Sequence, residues 1–322
     1  MIAVFCFGIL IMVLGFLWMR DYDARDREFG VTFSDLYATS LGLDWKNAYT
    51  SMLDELDVVH IRIPVYWSEV EQTPGVYDFS DLDWMMNEAK DRGAQVTLAI
   101  GQKVPRWPEC YIPSQYGEID ADTRNVALLA YLEAVVTRYK DHNALSRWQV
   151  ENEPFFPFGI CPPPDASLVV KEIELVRRLD PDHDIQLTTS GEQSIWVTTA
   201  IPADVLGVSL YRIVYNDYTG YLGVPLQPFF YRVQRWISSP FARHIIISEL
   251  QAEPWNAYLY VSTDPDVLDR GYRVFTEKNL QDHVEFARRS GMDEIYLWGV
   301  EWWYYLKTMG NDKLWVAAKE IF

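Results

Sequence analysis

Residues 147–154 read RWQVENEP, and residues 244–251 read HIIISELQ. Each is a short apolar run that closes on a glutamate, Glu153 in the first and Glu249 in the second. A run of this length, bounded by polar and turn-forming residues, reads as a buried strand with its polar groups gathered at the carboxyl end. Six further runs have the same form: FGVTF from Phe29, VVHIRIP from Val58, QVTLAIG from Gln95, DIQLTTS from Asp184, VLGVSLY from Val205 and EIYLWGV from Glu294. Amphipathic stretches lie between them. Leu82, Met86 and Ala89 make one helical stripe, with Ser80 and Asp83 as its expected capping box and Gly93 as its left-handed stop. Leu280, Val284 and Ala287 make another, closed by Gly291. Strands alternating with helices in this number predict an α/β fold, a closed (β/α)₈ TIM barrel. A dinucleotide-binding open sheet would want GxGxxG after the first run, and none is there. No repeat, linker or low-complexity stretch interrupts residues 28–322, which are expected to form one domain.

The composition fits a large core. Of 322 residues, 49% are hydrophobic, and the 13 Trp and 20 Tyr exceed what packing alone asks for. Such rings offer stacking faces, although an aromatic-rich core explains them equally well. The formal charge of −18 opposes binding to nucleic acid or to anionic lipid headgroups. It is compatible with a neutral substrate.

In a barrel of this kind the site forms at the carboxyl ends of the strands. The polar residues found there are Arg62 on the second run, Asn152 and Glu153 on the fourth, Tyr211 on the sixth, Glu249 on the seventh and Trp298 on the eighth. Glu153 and Glu249 face each other across the mouth. Two carboxyl groups flanking one bond are what glycoside cleavage requires: one protonates the leaving oxygen and the other attacks the anomeric carbon or activates water. Arg62 could keep Glu249 ionised, and apolar or anionic neighbours could keep Glu153 protonated. Tyr211 could hydrogen-bond the nucleophile, and Asn152 could hold a sugar 2-hydroxyl. Asn-Glu-Pro or Ser-Glu alone is no more than a strand exit. The combination, in this order and with these flanking groups, carries the catalytic reading. Glu151 shares a face with Gln149 and Glu153 if strand alternation continues. It is expected to be a structural partner of His60 or Arg62, because a lone buried carboxylate is too costly. Trp67, Trp107, Trp196, Trp255, Trp302 and Trp303 fall near the loops after strands, where some are expected to line sugar subsites and others to pack.

The stretch WQVENEP resembles the fourth-strand acid/base motif of glycoside hydrolase clan A, and IIISELQ resembles its seventh-strand nucleophile motif. HIRIPVYWSEVEQTPGVYDFSDLD and GAQVTLAIGQKVPRWP are similar to the clan's second and third strands, DVLGVSLY to its sixth and YLWG to its eighth. Members of families 5, 35, 39 and 42 show the likeness, which spans residues 28 to 306. The resemblance implies a (β/α)₈ barrel and a retaining double displacement on β-linked carbohydrate. It assigns Glu153 as acid/base, Glu249 as nucleophile, and Asn152, Arg62, Tyr211 and Trp298 as substrate-binding or supporting residues. The third run ends in Gly101 and Gln102, where some members carry His or Asn. A transglycosylase would use the same two glutamates with another acceptor, and a non-catalytic sugar-binding barrel is the remaining alternative.

No metal or organic cofactor is expected. The five histidines form no HExxH or HxH pair, the three cysteines form no CxxC, and no GxSxG occurs. Cys110 and Cys161 lie in the loops after the third and fourth runs and are expected to form a disulfide outside the cytoplasm. Residues 2–18 read IAVFCFGILIMVLGFLW, with no charge before Arg20. This is near the length needed to cross a bilayer. Residues 1–20 are therefore expected to be a signal anchor, with a cleaved signal peptide as the alternative, and the enzyme to be extracytoplasmic and membrane-tethered, or secreted.

Overall fold

The computed structural model describes residues 8, 9, 11–16, 27–216, 218–262 and 264–322. The strands, in chain order, are β1 (Glu28–Thr32), β2 (His60–Pro64), β3 (Gln95–Ile100), β4 (Leu145–Val150), β5 (Asp184–Ser190), β6 (Val205–Leu210), β7 (Ile213–Asn216), β8 (Gly220–Gly223), β9 (His244–Gln251) and β10 (Glu294–Trp298). All strands but β7 and β8 close a parallel barrel in the order β1-β10-β9-β6-β5-β4-β3-β2, with β1 also paired to β2. Each apolar run of the sequence supplies one barrel strand. Parallel strands wrapped by helices are buried on both faces, which is why they read as continuous runs rather than alternating ones. β7 and β8 form an antiparallel hairpin in the connection from β6 to β9, which the apolar runs did not announce.

The interior of the barrel is polar along one seam. Arg62 is fully buried, and its Nε donates to Gln149 on β4 at 2.7 Å. Gln186 on β5 donates to the same Gln149 oxygen at 2.9 Å. The apolar core lies between strands and helices, where Ile61, Ile63, Leu98, Trp148 and Leu187 meet helix residues such as Leu128, Leu132 and Val176. Buried Trp148 keeps a partner, donating its indole N–H to Asp180 at 2.8 Å.

Local signals fix the helix ends. Asp44, Asp165 and Thr276 cap the helices Trp45–Glu55, Ala166–Leu179 and Glu277–Ser290, the last through a reciprocal box with Asn279. Gly291 terminates that helix at φ 89°, as expected. The capping box at Ser80 is corrected. Ser80 is already the first helical residue, and its N–H donates to Asp78 at 2.9 Å. An ionised carboxylate two residues upstream takes the orphan donor that Ser80 was expected to help satisfy.

Cys110 and Cys161 form the expected disulfide, with Cα atoms 5.2 Å apart, tying the loop after β3 to the loop after β4. The apolar span expected over residues 2–18 lies mostly outside the described residues. Among the described residues no helix is long and apolar enough to cross a membrane, so the anchor receives no support from the structure.

Candidate active site

The chain leaves β4 through two left-handed residues, Glu151 at φ 58° and Glu153 at φ 46°. Non-glycine residues adopt this region at a cost, and they persist only where the surroundings fix them. Here the backbone is held throughout. Glu151 N–H donates to Ile100 O at 2.8 Å, Asn152 N–H to Lys103 O, and Glu153 N–H to the Thr188 hydroxyl at 2.8 Å. The turn brings Asn152 and Glu153 over the barrel mouth.

Glu249, on β9, has both carboxylate oxygens engaged. Oε1 accepts from Arg62 Nη1 at 2.8 Å, and Oε2 accepts from the Tyr211 hydroxyl at 3.0 Å. The same guanidinium donates through Nη2 to Asn152 Oδ1 at 2.8 Å. Arg62 therefore links the two glutamate-bearing strands from inside the barrel. Glu153 Oε1 accepts from the Ser209 hydroxyl at 2.8 Å, and Ser209 is the residue of β6 in register with Glu249. The two glutamates thus converge on one position of β6. Burial, then the charge of Glu249, pushes the Glu153 carboxyl up to about 7.

The six residues singled out from the sequence fall at this mouth. Arg62, Asn152, Tyr211 and Glu249 form one hydrogen-bonded set, and the Thr188 hydroxyl extends it to the backbone N–H of Glu153. Trp298 joins it differently: it is 8% exposed, and the Arg106 guanidinium lies over its ring at 4.1 Å. Arg106 also stacks on Tyr37, bonds Glu253 and donates to Glu301 at 2.7 Å. This buried network was not foreseen. Nor was Glu109, whose carboxylate accepts from Asn152 Nδ2 at 2.9 Å, nor Lys103, whose ammonium donates to the carbonyls of Glu153 and Phe156 at 3.1 and 2.9 Å. Lys103, Arg106 and Glu109 all arise from the loop after β3, where the sequence reading singled out Trp107 and Cys110 instead. Of the loop tryptophans, Trp67, Trp196, Trp302 and Trp303 are fully buried packing residues. Trp107 is 65% exposed, and Trp255 packs edge-on against Tyr211 at 5.0 Å.

Glu151 is not the partner of His60 or Arg62. Its two oxygens accept from the backbone N–H groups of Gln102 and Lys103 at 2.8 and 2.7 Å, and Gly101 at φ 134° lets the chain cross close above it. Gln149 takes the place at Arg62 instead. His60 lies at the other end of β2, 3.8 Å from Glu28. Alternation fails because β4 ends at Val150, so the period does not run on to Glu151.

The site region carries an excess of buried carboxyl groups. Burial pushes Glu109 up to about 8 and Glu151, Glu192 and Glu253 to about 7. A carboxyl group with a raised folded pKa binds its proton more tightly when folded. Its stabilising contribution is complete below the ordinary carboxylate range and is lost as pH rises through the folded value. His283, lowered to about 4 by burial, and His142, also lowered by burial, act in the opposite sense, but the raised carboxyl groups outnumber them. The melting temperature is expected to be highest near pH 5 and to fall by several degrees between pH 5 and 8, measured by calorimetry in one buffer series. A flat or rising profile over that window contradicts the assignment of these carboxyl groups as buried and protonated.

Comparison with known proteins gives a family match over part of the chain and a set of shared folds. The glycoside hydrolase family 42 model, described as beta-galactosidase, matches residues 43–161, a stretch that includes Arg62, Asn152 and Glu153 but ends before Glu249. Among solved structures, a GH5_18 protein from Streptomyces cattleya in complex with GlcNAc is similar at TM-score 0.60 and 14% identity, covering 85% of this chain and 71% of that one. An exo-beta-1,4-mannosidase from Opitutaceae bacterium strain TAV5 is similar at TM-score 0.60 and 18% identity, covering 85% of this chain and 52% of its own. A beta-galactosidase from Halorubrum lacusprofundi is similar at TM-score 0.56 and 15% identity, covering 84% and 52%. The chain thus spans about half the length of the last two. These neighbours share its barrel, and the family match over residues 43–161 is consistent with the clan A relationship read from the two glutamate motifs.

Proposed function

We propose that residues 28–322 form a retaining β-glycosidase in which Glu249 is the nucleophile and Glu153 the acid/base. The observation that carries this is the unequal treatment of two converging carboxyl groups. Glu249 is paired with a buried guanidinium and a tyrosine hydroxyl, whereas Glu153 is held against a serine hydroxyl with its proton-binding raised. Two carboxyl groups held in such different surroundings divide the acid and nucleophile roles. In the first step a Glu249 oxygen bonds to the anomeric carbon as the bond to the leaving oxygen breaks, and Glu153 gives that oxygen its proton. The charge on Glu249 is then consumed in the ester. The repulsion that held the Glu153 proton disappears, so Glu153 becomes the base that the second step needs. It takes a proton from water, the water oxygen bonds to the anomeric carbon, and Glu249 leaves with its charge restored. Asn152 is placed to hold the group at C2, and Tyr211 to keep Glu249 in line. No step calls on a metal or organic cofactor. The Cys110–Cys161 disulfide supports an oxidising, extracytoplasmic setting.

Stereochemistry tests the proposal directly. Proton NMR of the first product from an aryl β-glycoside is expected to show the β-anomer, which then mutarotates. A crystal structure is expected to place the two carboxyl groups about 5–5.5 Å apart, the spacing of double displacement. First-formed α-product, or a separation above about 8 Å, rules out the retaining assignment.

A further inference from the structure

Glu109 is a third carboxylate in the site, and the mechanism above does not use it. We propose that Glu109 reads the substituent at C2 of the glycone, and that it selects a cationic donor there, the free ammonium of a 2-amino-2-deoxy-β-glycoside, over a neutral hydroxyl. The proposal rests on the glycosidase reading.

Position is the first argument. Asn152 Oδ1 accepts from Arg62 and from the Thr188 hydroxyl, at 2.8 and 3.1 Å, which fixes the amide so that Nδ2 points the other way. Nδ2 donates to Glu109 Oε2 at 2.9 Å. The amide placed to meet the group at C2 is therefore shared with a carboxylate, and that carboxylate stands beside the same group. The second argument is rigidity. Glu109 sits at φ 78°, next in sequence to the disulfide-bonded Cys110. A side chain at Gly159 would come within 2.6 Å of the Glu109 Cβ, so the neighbouring loop closes directly on it. A strained residue clamped from two sides marks a side chain held for a purpose rather than one filling space.

Charge is the third argument. Glu109 is 7% exposed, and Glu249 and Glu153 lie close enough for their charges to act on it. Among the described residues no cation bonds to Glu109. Arg62 is committed to Glu249, Gln149 and Asn152, and Lys103 to two backbone carbonyls. A buried carboxylate without a counter-charge is expensive. A neutral 2-hydroxyl offers Glu109 a hydrogen bond but no counter-charge, so the carboxyl group keeps its proton. A 2-ammonium supplies a hydrogen bond and the counter-charge against which Glu109 ionises. A 2-acetamido group offers a neutral N–H and added bulk.

The test uses the whole protein with nitrophenyl β-glucosides and β-galactosides bearing hydroxyl, amino or acetamido groups at C2. The wild-type kcat/KM is expected to be at least about tenfold higher for the amino glycosides than for their hydroxyl counterparts. Glu109→Gln keeps the shape and the acceptor oxygen but cannot ionise against the ammonium. It is expected to lower kcat/KM on amino glycosides about 100-fold and on hydroxyl glycosides less than about fivefold. Calorimetry is expected to show glucosamine, galactosamine or mannosamine binding more tightly than the matching neutral sugar, a preference that needs no turnover and no variant. Equal losses on both substrate types, or no preference for the amino sugar in either the kinetic or the binding measurement, overturns the role of Glu109 while leaving the hydrolase intact. A wild-type enzyme that binds amino sugars preferentially yet cleaves none of the glycosides would instead remove the hydrolase reading.

Discussion

Glu249→Ala is expected to abolish turnover on every glycoside, activated or natural, by a factor of about 10⁴ or more in kcat. No covalent intermediate can form without a carboxylate at the anomeric carbon, so a better leaving group does not compensate. The same substitution strands Arg62, which is fully buried and loses its only carboxylate partner among the described residues. An unpaired buried charge costs several kcal/mol, about 3–5 when a pair is broken. Some loss of melting temperature is therefore part of the expected result. Glu249→Gln separates the two effects. It retains hydrogen-bonding atoms toward Arg62 and Tyr211 but cannot attack, so it should recover some stability and no turnover. Aryl-glycoside kinetics and calorimetry on the two variants decide the matter. Turnover by Glu249→Ala on a dinitrophenyl glycoside within tenfold of wild type would remove Glu249 from the nucleophile role.

The part of this site legible in the sequence is the part carried by strands. Arg62, Asn152, Glu153, Tyr211 and Glu249 lie on or just beyond apolar runs, and barrel geometry delivers strand ends to one mouth whatever the loops do. The loop contributions were not legible. Arg106 and Glu109 are left-handed residues in an irregular segment, and such positions have no periodicity to betray them. Cys110 was the available clue, because a disulfide beside the mouth says that its neighbours are held in place. Glu301, which accepts from Arg106 and from the Ser34 N–H, sits in the first turn of the helix Val300–Thr308, where a sequence reading takes a glutamate for an ordinary helix-start acid. The β7–β8 hairpin escaped because its strands are short and largely half-exposed, with neither a continuous apolar run nor an Asn-Gly turn to announce them.

Glu153→Ala should behave quite differently from the nucleophile variant. The carboxyl group contributes a proton to the leaving oxygen, and the need for that proton depends on the leaving group. A dinitrophenolate departs without help, whereas a sugar alkoxide does not. The expected result is a kcat/KM on dinitrophenyl glycosides within about tenfold of wild type, against a loss of roughly 10²–10⁴ on substrates with sugar leaving groups. Hydrolysis of the glycosyl-enzyme slows as well, since no base remains to activate water, so kcat falls even for activated substrates and intermediate accumulates. Azide needs no base and should restore kcat, giving the β-glycosyl azide, because it enters on the face that the aglycone left. Loss of the group should also remove the high-pH limb of the kcat/KM profile near pH 7, where wild-type Glu153 loses its proton. Ser209, which donates to Glu153 in the folded protein, is left with a free hydroxyl rather than a buried charge, so the fold should tolerate the change. Equal losses on activated and natural substrates, or rescue that yields the α-azide, would show that Glu153 does not act as the acid/base.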